Sequence, residues 1–392
     1  MPVDFISLRR QIRDEAAKAP EGIRRIGELG KQAAELLEAN ADSGDALGAK
    51  VEQAAQTDGF LRSAKPGSEK LTATFKVPDA LERATLIAVD GSQINPSRHE
   101  AVNYFLVNLG AIEMELGSGM APKTHTRSEL SVFEYSESGS YSEERVGLDR
   151  DTGERVFLAE LSNEAKVKPV ITLTDGPLEL WGGSSRDSGQ DRQFAESLRV
   201  YLKALEELQR AGAVTAGYVD KPRADLVVRA LEVAATPIDE LGDIRKTRPL
   251  RGVTDQHLFA PLLGPGQRSA VFGIQSQLAP KYAGALALQF FYLNVGSETR
   301  PWLARVEIPA WVADDAKLLD ALHATLIAQC GMMGSLAYPY VLHRAHEIAV
   351  VTREEREQVT QMLLAELQSS GVEAGQISNK QAAKDLAGRT RR

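Results

Sequence analysis

The sequence predicts an α/β core preceded by a helical extension, and three observations carry that reading. Two apolar, partly β-branched runs each end in Asp-Gly: Leu86-Ile87-Ala88-Val89-Asp90-Gly91 and Val170-Ile171-Thr172-Leu173-Thr174-Asp175-Gly176. Buried strands end this way where they reach solvent. Strand-like and helix-like stretches alternate between and after these runs, the pattern of helices covering a sheet. Ahead of them, residues 5–61 place Ile6, Leu8, Ile12, Ile23, Ile26, Leu29, Leu36 and Leu37 at helical spacing among charged residues and alanine. That narrow apolar stripe suits a helical hairpin or a dimer arm.

The elements follow in order. Ser63-Ala64-Lys65-Pro66-Gly67 ends the extension, and the Asp90 strand opens the main body. Residues 101–116 predict a second strand, or a hairpin turning near Asn108 to Gly110. Residues 117–150, rich in Ser, Gly, Glu and Tyr, predict an extended excursion. A helix is predicted from Thr152 to about Glu164, with Asp151 as its N-cap and Glu154 as the reciprocal partner. After the Asp175 strand come a long helix over 191–211 and a strand over 213–219, closed by Asp220-Lys221-Pro222. Residues 237–264 are mixed. Strands are predicted over 269–274, 286–294 and 300–308, the last two as an antiparallel pair. Helices follow over 315–332 and 354–371, and a polar tail over 376–392 carries Lys380, Lys384, Arg389, Arg391 and Arg392.

A chain of 392 residues with 43% hydrophobic content buries a sizeable core. Its formal charge of -8 supplies no global positive field for nucleic acid. A nuclease with an acidic site and bases around its channel averages to a similar figure, so the net charge excludes nothing there. Cys330 is the single cysteine, which excludes an intrachain disulfide and a thiolate metal cluster. The sequence has no apolar stretch approaching a membrane span, and its N-terminus lacks the apolar centre of a secretory signal. A cytoplasmic location is the expectation.

The chemistry centres on Asp90 and Asp175. Each Asp-Gly alone also suits a plain turn. Side by side, the two strands bring the carboxylates together as the start of a divalent metal site. Neither run continues as GxGxxG or GxxxxGK[ST], so a nucleotide-binding loop is disfavoured. Two carboxylates hold a metal weakly, and a third ligand is expected from elsewhere. Glu160 lies between Ala159 and Leu161, where capping does not explain it, and is the preferred candidate; Glu154 remains the alternative. Near the C-terminus, Tyr338-Pro339-Tyr340-Val341-Leu342-His343-Arg344-Ala345-His346 holds two of the six histidines, three residues apart and on one face of a helix.

These pieces resemble the NurA family of DNA-end-processing nucleases. The resemblance rests on IAVDGSQ, TLTDGPLE, AGYVDKPRAD, TDQHLFAPLLGPGQRS and YPYVLHRAHEIAVV, in that order, and covers residues 81–380. It implies an RNase H-like (Argonaute/PIWI-type) mixed-sheet core and a Mn²⁺-dependent nuclease, with Mg²⁺ as a substitute. The implied activity is on single-stranded DNA and on duplex DNA from the 5′ end, in end resection, repair and recombination. It also implies a ring-forming homodimer beneath a hexameric HerA-type translocase. The implied metal centre is Asp90, a glutamate best matched by Glu160, Asp175 and His346. Tyr338 stands eight residues before His346, the separation that favours His346 over His343. The organisation expected is a helical arm over 1–78, a nuclease domain over 79–375 and a basic tail over 376–392. Lys221, Arg268 and Lys380 are expected to grip DNA phosphates. Two other classes fit the same carboxylates: a metal-dependent phosphoesterase on small nucleotides, and a non-enzymatic scaffold of a DNA-translocating complex.

Overall fold

The computed structural model describes residues 3–97, 102–132, 142–182 and 188–371. In chain order the first elements are α1 (Phe5–Ala39), α2 (Gly44–Thr57), β1 (Ser63–Pro66), β2 (Thr74–Phe75), β3 (Ala84–Ile94), β4 (Tyr104–Leu116) and β5 (Lys123–Val132). Next come α3 (Glu143–Glu164), β6 (Val170–Asp175), α4 (Ser188–Arg210), β7 (Val214–Val219), α5 (Leu226–Ala235) and α6 (Asp255–Phe259). The rest are β8 (Arg268–Ser269), β9 (Phe272–Gln275), β10 (Leu288–Asn294), β11 (Leu303–Pro309), α7 (Ala310–Ala313), α8 (Ala316–Gly331), α9 (Tyr340–Ala349) and α10 (Arg353–Ser369). The chain folds as two compact units, Met1–Asp79 with Val219–His323, and Ala80–Tyr218 with Ala324–Arg392. No helix among the described residues is long and apolar enough to cross a membrane.

The second unit carries a mixed sheet with strand order β7-β6-β3-β4-β5. β3, β6 and β7 run parallel, and β4 and β5 add antiparallel partners. This is the RNase H-like arrangement. Strand β3 is central because Leu86, Ile87, Ala88 and Val89 are all fully buried, the continuous apolar run of a strand covered on both faces. Strand β5 is the polar edge, which discourages further pairing.

One alternative is settled here and two expectations change. Residues 104–116 form one unbroken strand, with no turn at Asn108 to Gly110. Gly110 is there for close approach: a Cβ on it would lie 2.4 Å from the Ala349 nitrogen. The Ala349 carbonyl accepts from Asn108 Nδ2 at 2.8 Å and from Ser92 Oγ at 2.5 Å, clamping α9 onto β3 and β4. The predicted excursion contains β5, paired with β4 from Tyr104↔Val132 to Glu113↔Lys123; residues 133–141 lie outside the described residues. Helix α3 starts well ahead of Asp151, capped by Ser142, whose side chain accepts from the Arg145 nitrogen. Asp151 and Glu154 are therefore interior to the helix and cap nothing.

In the first unit, β1, β9, β10 and β11 pair antiparallel in that order, and β8 bridges β2 to β10. Phe259 stacks on Tyr292 with centroids 4.9 Å apart, and Phe272 on Phe290 at 5.6 Å. Beside them Asp255, wholly buried, accepts from the Val227 and Val228 nitrogens at 3.0 and 2.9 Å and from the Tyr292 hydroxyl at 2.6 Å. Burial pushes its carboxyl up to about 6 despite those bonds. In α1 the fully buried residues are Ala33 and Leu37, while Phe5, Ile6, Ile12 and Ile23 are exposed.

Candidate metal centre

The register of two strands sets the site. β3 and β6 run parallel with Val89 opposite Thr174. Asp90 and Asp175 follow directly, on neighbouring strands about 4.8 Å apart and on the same face. Helix α9 lies on that face. His346 Nδ1 donates to Asp90 Oδ2 at 2.7 Å. This leaves Nε2 as the ring nitrogen with an open lone pair, the arrangement of a carboxylate-oriented metal ligand. His343 turns elsewhere and pairs with Glu347 at 3.4 Å. Tyr338 packs edge-on against Tyr218, with centroids 5.6 Å apart and ring planes at 87°. Tyr218 is in turn the register partner of Asp175.

On the opposite face the site is completed through a glycine. The sequence suggests that Gly91 frees the chain to turn, yet β3 runs on to Ile94 with Gly91 paired to Leu109. What Gly91 provides is room. A Cβ there would lie 2.8 Å from Glu154 Oε1 and 2.5 Å from Arg150 Cγ. Glu154 is 8% exposed. Burial, with the charges of Asp151 and Asp90 beside it, pushes its carboxyl well above the ordinary glutamate range. Arg150 Nη2 donates to Asp151 Oδ1 at 2.7 Å, and its Nε stands 3.6 Å from Glu154 Oε1. Arg155, buried next to Glu154, donates through Nη2 to Thr174 Oγ1 at 2.9 Å and lies over the Tyr201 ring. It ties α3 to the end of β6 just before Asp175.

Glu160 is placed differently from the expectation. Six residues beyond Glu154, it is about 9 Å further along the helix and faces another direction. There it forms an ion pair with Arg127 of β5, whose guanidinium sits over Phe157. Of the two α3 glutamates, Glu154 and not Glu160 packs against Gly91, the residue that follows Asp90 in β3.

The expected phosphate-gripping bases also divide. Arg268 is 4% exposed, bonded to the Glu69 carboxylate at 3.2 and 3.3 Å, and stacked on Phe75 at 3.7 Å. It is an interior arginine and does not face DNA, because β8 is sandwiched between β2 and β10. Lys221 is exposed, with φ of 45° and its Nζ 5.5 Å from the Trp302 ring centre. The Trp302 indole nitrogen donates to Asp220 at 2.7 Å. Lys380 lies outside the described residues.

The donor set fits a hard divalent cation: carboxylate oxygens from Asp90, Asp175 and Glu154, with one imidazole nitrogen. The cradle at Gly91 and a buried glutamate repelled by its neighbours point the same way. Among the described residues, no three His, Cys, Asp or Glu side chains are grouped closely enough to hold a metal ion as they stand.

The NurA domain signature matches residues 84–351, from the first residue of β3 to beyond α9. The chain belongs to the NurA family. It is therefore a nuclease with the RNase H-like fold, and the matched stretch contains Asp90, Glu154, Asp175, Tyr338 and His346. No curated protein matches its sequence. Among solved structures, the NurA nuclease from Sulfolobus solfataricus is similar at 15% identity and a TM-score of 0.52, covering 92% of this chain and 98% of that one. A NurA bound to dAMP and manganese is similar at 13% identity and a TM-score of 0.36, over 74% of this chain and 90% of that one. Endonuclease V of Ciona intestinalis, in complex with inosine-containing DNA, is similar at 12% identity and a TM-score of 0.30, over 80% and 96%.

Proposed function

We propose that this NurA protein is a Mn²⁺-dependent DNA nuclease, with Mg²⁺ as a substitute, that hydrolyses single-stranded DNA and duplex DNA from the 5′ end during end resection and repair. The observation that carries this reading is the 2.7 Å contact of His346 with Asp90, whose neighbour across the parallel strands is Asp175. Asp90, Glu154, Asp175 and His346 are the metal-holding set. A divalent cation bound there supplies activation of water and neutralisation of the phosphate. Asp90 is the central carboxylate, His346 is oriented by it, and Glu154 approaches from the other face through the Gly91 gap. Tyr338, held by Tyr218, contacts a phosphate oxygen or an end base. Lys221, beside Trp302, neutralises backbone phosphate.

The same reading includes a homodimer working with a hexameric HerA-type translocase, in the cytoplasm. It is supported by family membership and by the exposed apolar residues Phe5, Ile6, Ile12 and Ile23 on α1. Light scattering of the protein alone and mixed with such an ATPase tests the assembly.

The activity is tested by incubating the protein and its Asp90→Asn variant with labelled single strands, duplexes labelled at either end, and free nucleotides, with Mn²⁺ or EDTA. Metal-dependent release from single strands and from 5′ ends, lost in the variant, supports the proposal. Hydrolysis confined to free nucleotides, or undiminished in the variant, overturns it.

A further inference from the structure

Of the two arginines beside Glu154 among the described residues, Arg150 is the one with a route to water. Its stem crosses Gly91, where its Cγ takes the space of the missing side chain. Its head bonds Asp151 through Nε at 3.0 Å and Nη2 at 2.7 Å, and stands 3.6 Å from Glu154. The Arg150 side chain is 35% exposed and that of Glu154 only 11%. Arg155, by contrast, is buried and fixed to Thr174.

Asp151 and Glu154 meet at this head, and Glu154 packs against Gly91, the residue after Asp90, so three carboxylates share one small region and need a counter-charge. A guanidinium does not lose its proton in a protein, so its charge leaves the site only by moving. A divalent cation entering beside Asp90 and Glu154 meets that charge directly. The planar fork released by such a movement matches a phosphate.

We propose that Arg150 is the built-in counter-cation of the metal-free NurA site: its guanidinium holds Asp151 and Glu154 beside Asp90 until a divalent cation binds, then turns outward to a DNA backbone phosphate. The proposal rests on the metal-centre reading above. Arg150 acts on the cation through the carboxylates it holds, as a positioning residue, and contacts DNA only in the loaded state.

The test uses the full chain, titrating MnCl₂ by calorimetry into the wild type, Arg150→Gln and Arg150→Lys. It adds thermal unfolding with and without Mn²⁺, and single-stranded DNA binding in Ca²⁺ at several salt concentrations. In Arg150→Gln the metal-free protein melts a few degrees lower, Mn²⁺ binds about tenfold more tightly, and the salt dependence of DNA binding drops by about one phosphate contact. Arg150→Lys keeps the charge, so Mn²⁺ affinity stays near wild type while DNA binding weakens several-fold. Unchanged or weaker Mn²⁺ binding in a folded Arg150→Gln protein assigns Arg150 a merely structural ion pair and overturns the proposal. If that variant does not fold, unaltered DNA binding by Arg150→Lys overturns it. A wild type that binds no Mn²⁺ overturns the metal-centre reading itself, which the comparison among variants keeps separate.

Discussion

His346 Nδ1 bonds Asp90 Oδ2 at 2.7 Å, joining residues 256 apart in sequence. The contact exists because Gly110 lets the end of α9 lie on the sheet, while Ser92 and Asn108 hold the Ala349 carbonyl. His346→Ala is expected to weaken both Mn²⁺ binding and hydrolysis by about 10- to 100-fold. His343→Ala, which removes only a contact with Glu347, is expected to leave both within about threefold. Parallel calorimetry and cleavage assays on the two variants check this.

Glu154 and Glu160 separate cleanly by mutation. Glu154→Gln keeps the shape in the Gly91 cradle and removes the charge that a cation needs, so hydrolysis falls by on the order of a hundredfold or more. Its melting temperature holds or rises, because a buried carboxyl disfavoured by its neighbours has been neutralised. Glu160→Gln loses a half-exposed ion pair with Arg127 and retains activity. Steady-state cleavage rates of the two variants decide between them.

The two glycines on β3 and β4 predict different failures. Gly110→Ala drives a Cβ into helix backbone at 2.4 Å, where nothing flexible can yield, and costs about 3 kcal/mol or more. Gly91→Ala first meets the side chains of Arg150 and Glu154, which can shift, so it costs about 1 kcal/mol while displacing Glu154 and weakening Mn²⁺ binding. Urea unfolding and metal titration on both proteins distinguish a structural from a site defect.

Asp255 gives the fold a pH dependence. Its folded-state pKa is about 6, above the unfolded value of 3.8. Between those values the folded protein keeps a proton that the unfolded chain has already released. This contribution to stability is therefore present at and below pH 4 and lost as pH rises to about 6, by about 3 kcal/mol. Comparing the unfolding free energy of the wild type with that of Asp255→Asn across pH 4–7 isolates it. The difference between the two is expected to move against the wild type as pH rises.

Arg268 and Lys221 share one expected role in the sequence but differ in the structure, the first interior and the second exposed. Arg268→Ala leaves the half-buried Glu69 with the Val271 nitrogen as its donor and uncovers Phe75, costing about 2–4 kcal/mol with no change in the salt slope of DNA binding. Lys221→Ala leaves stability nearly unchanged and lowers that slope by about one. Melting curves and binding at graded salt check both.

The pattern of legibility has a physical basis. The Asp90 and Asp175 strands stood out because a run such as Leu86 to Val89, buried on both faces, is apolar without interruption. The alternation of helices and strands gave the fold class for the same local reason. Glu154 was obscured by a local coincidence: Asp151 and Glu154 have capping-box spacing, but Ser142 and the packing of α3 start the helix earlier. Gly110 looked like a turn because its partner, Ala349, is remote in sequence. Arg268 looked available because its partner Glu69 lies 199 residues away. Each discrepancy comes from a contact between distant segments, which spacing along the chain does not encode.

The most direct test is the anomalous scattering map of crystals of this NurA loaded with Mn²⁺. The account predicts a peak about 2.2 Å from an Asp90 carboxylate oxygen, with Glu154 and Asp175 or His346 completing the shell. Density coordinated by Glu160, or no peak at Asp90 in a protein that cleaves DNA with Mn²⁺, would contradict it.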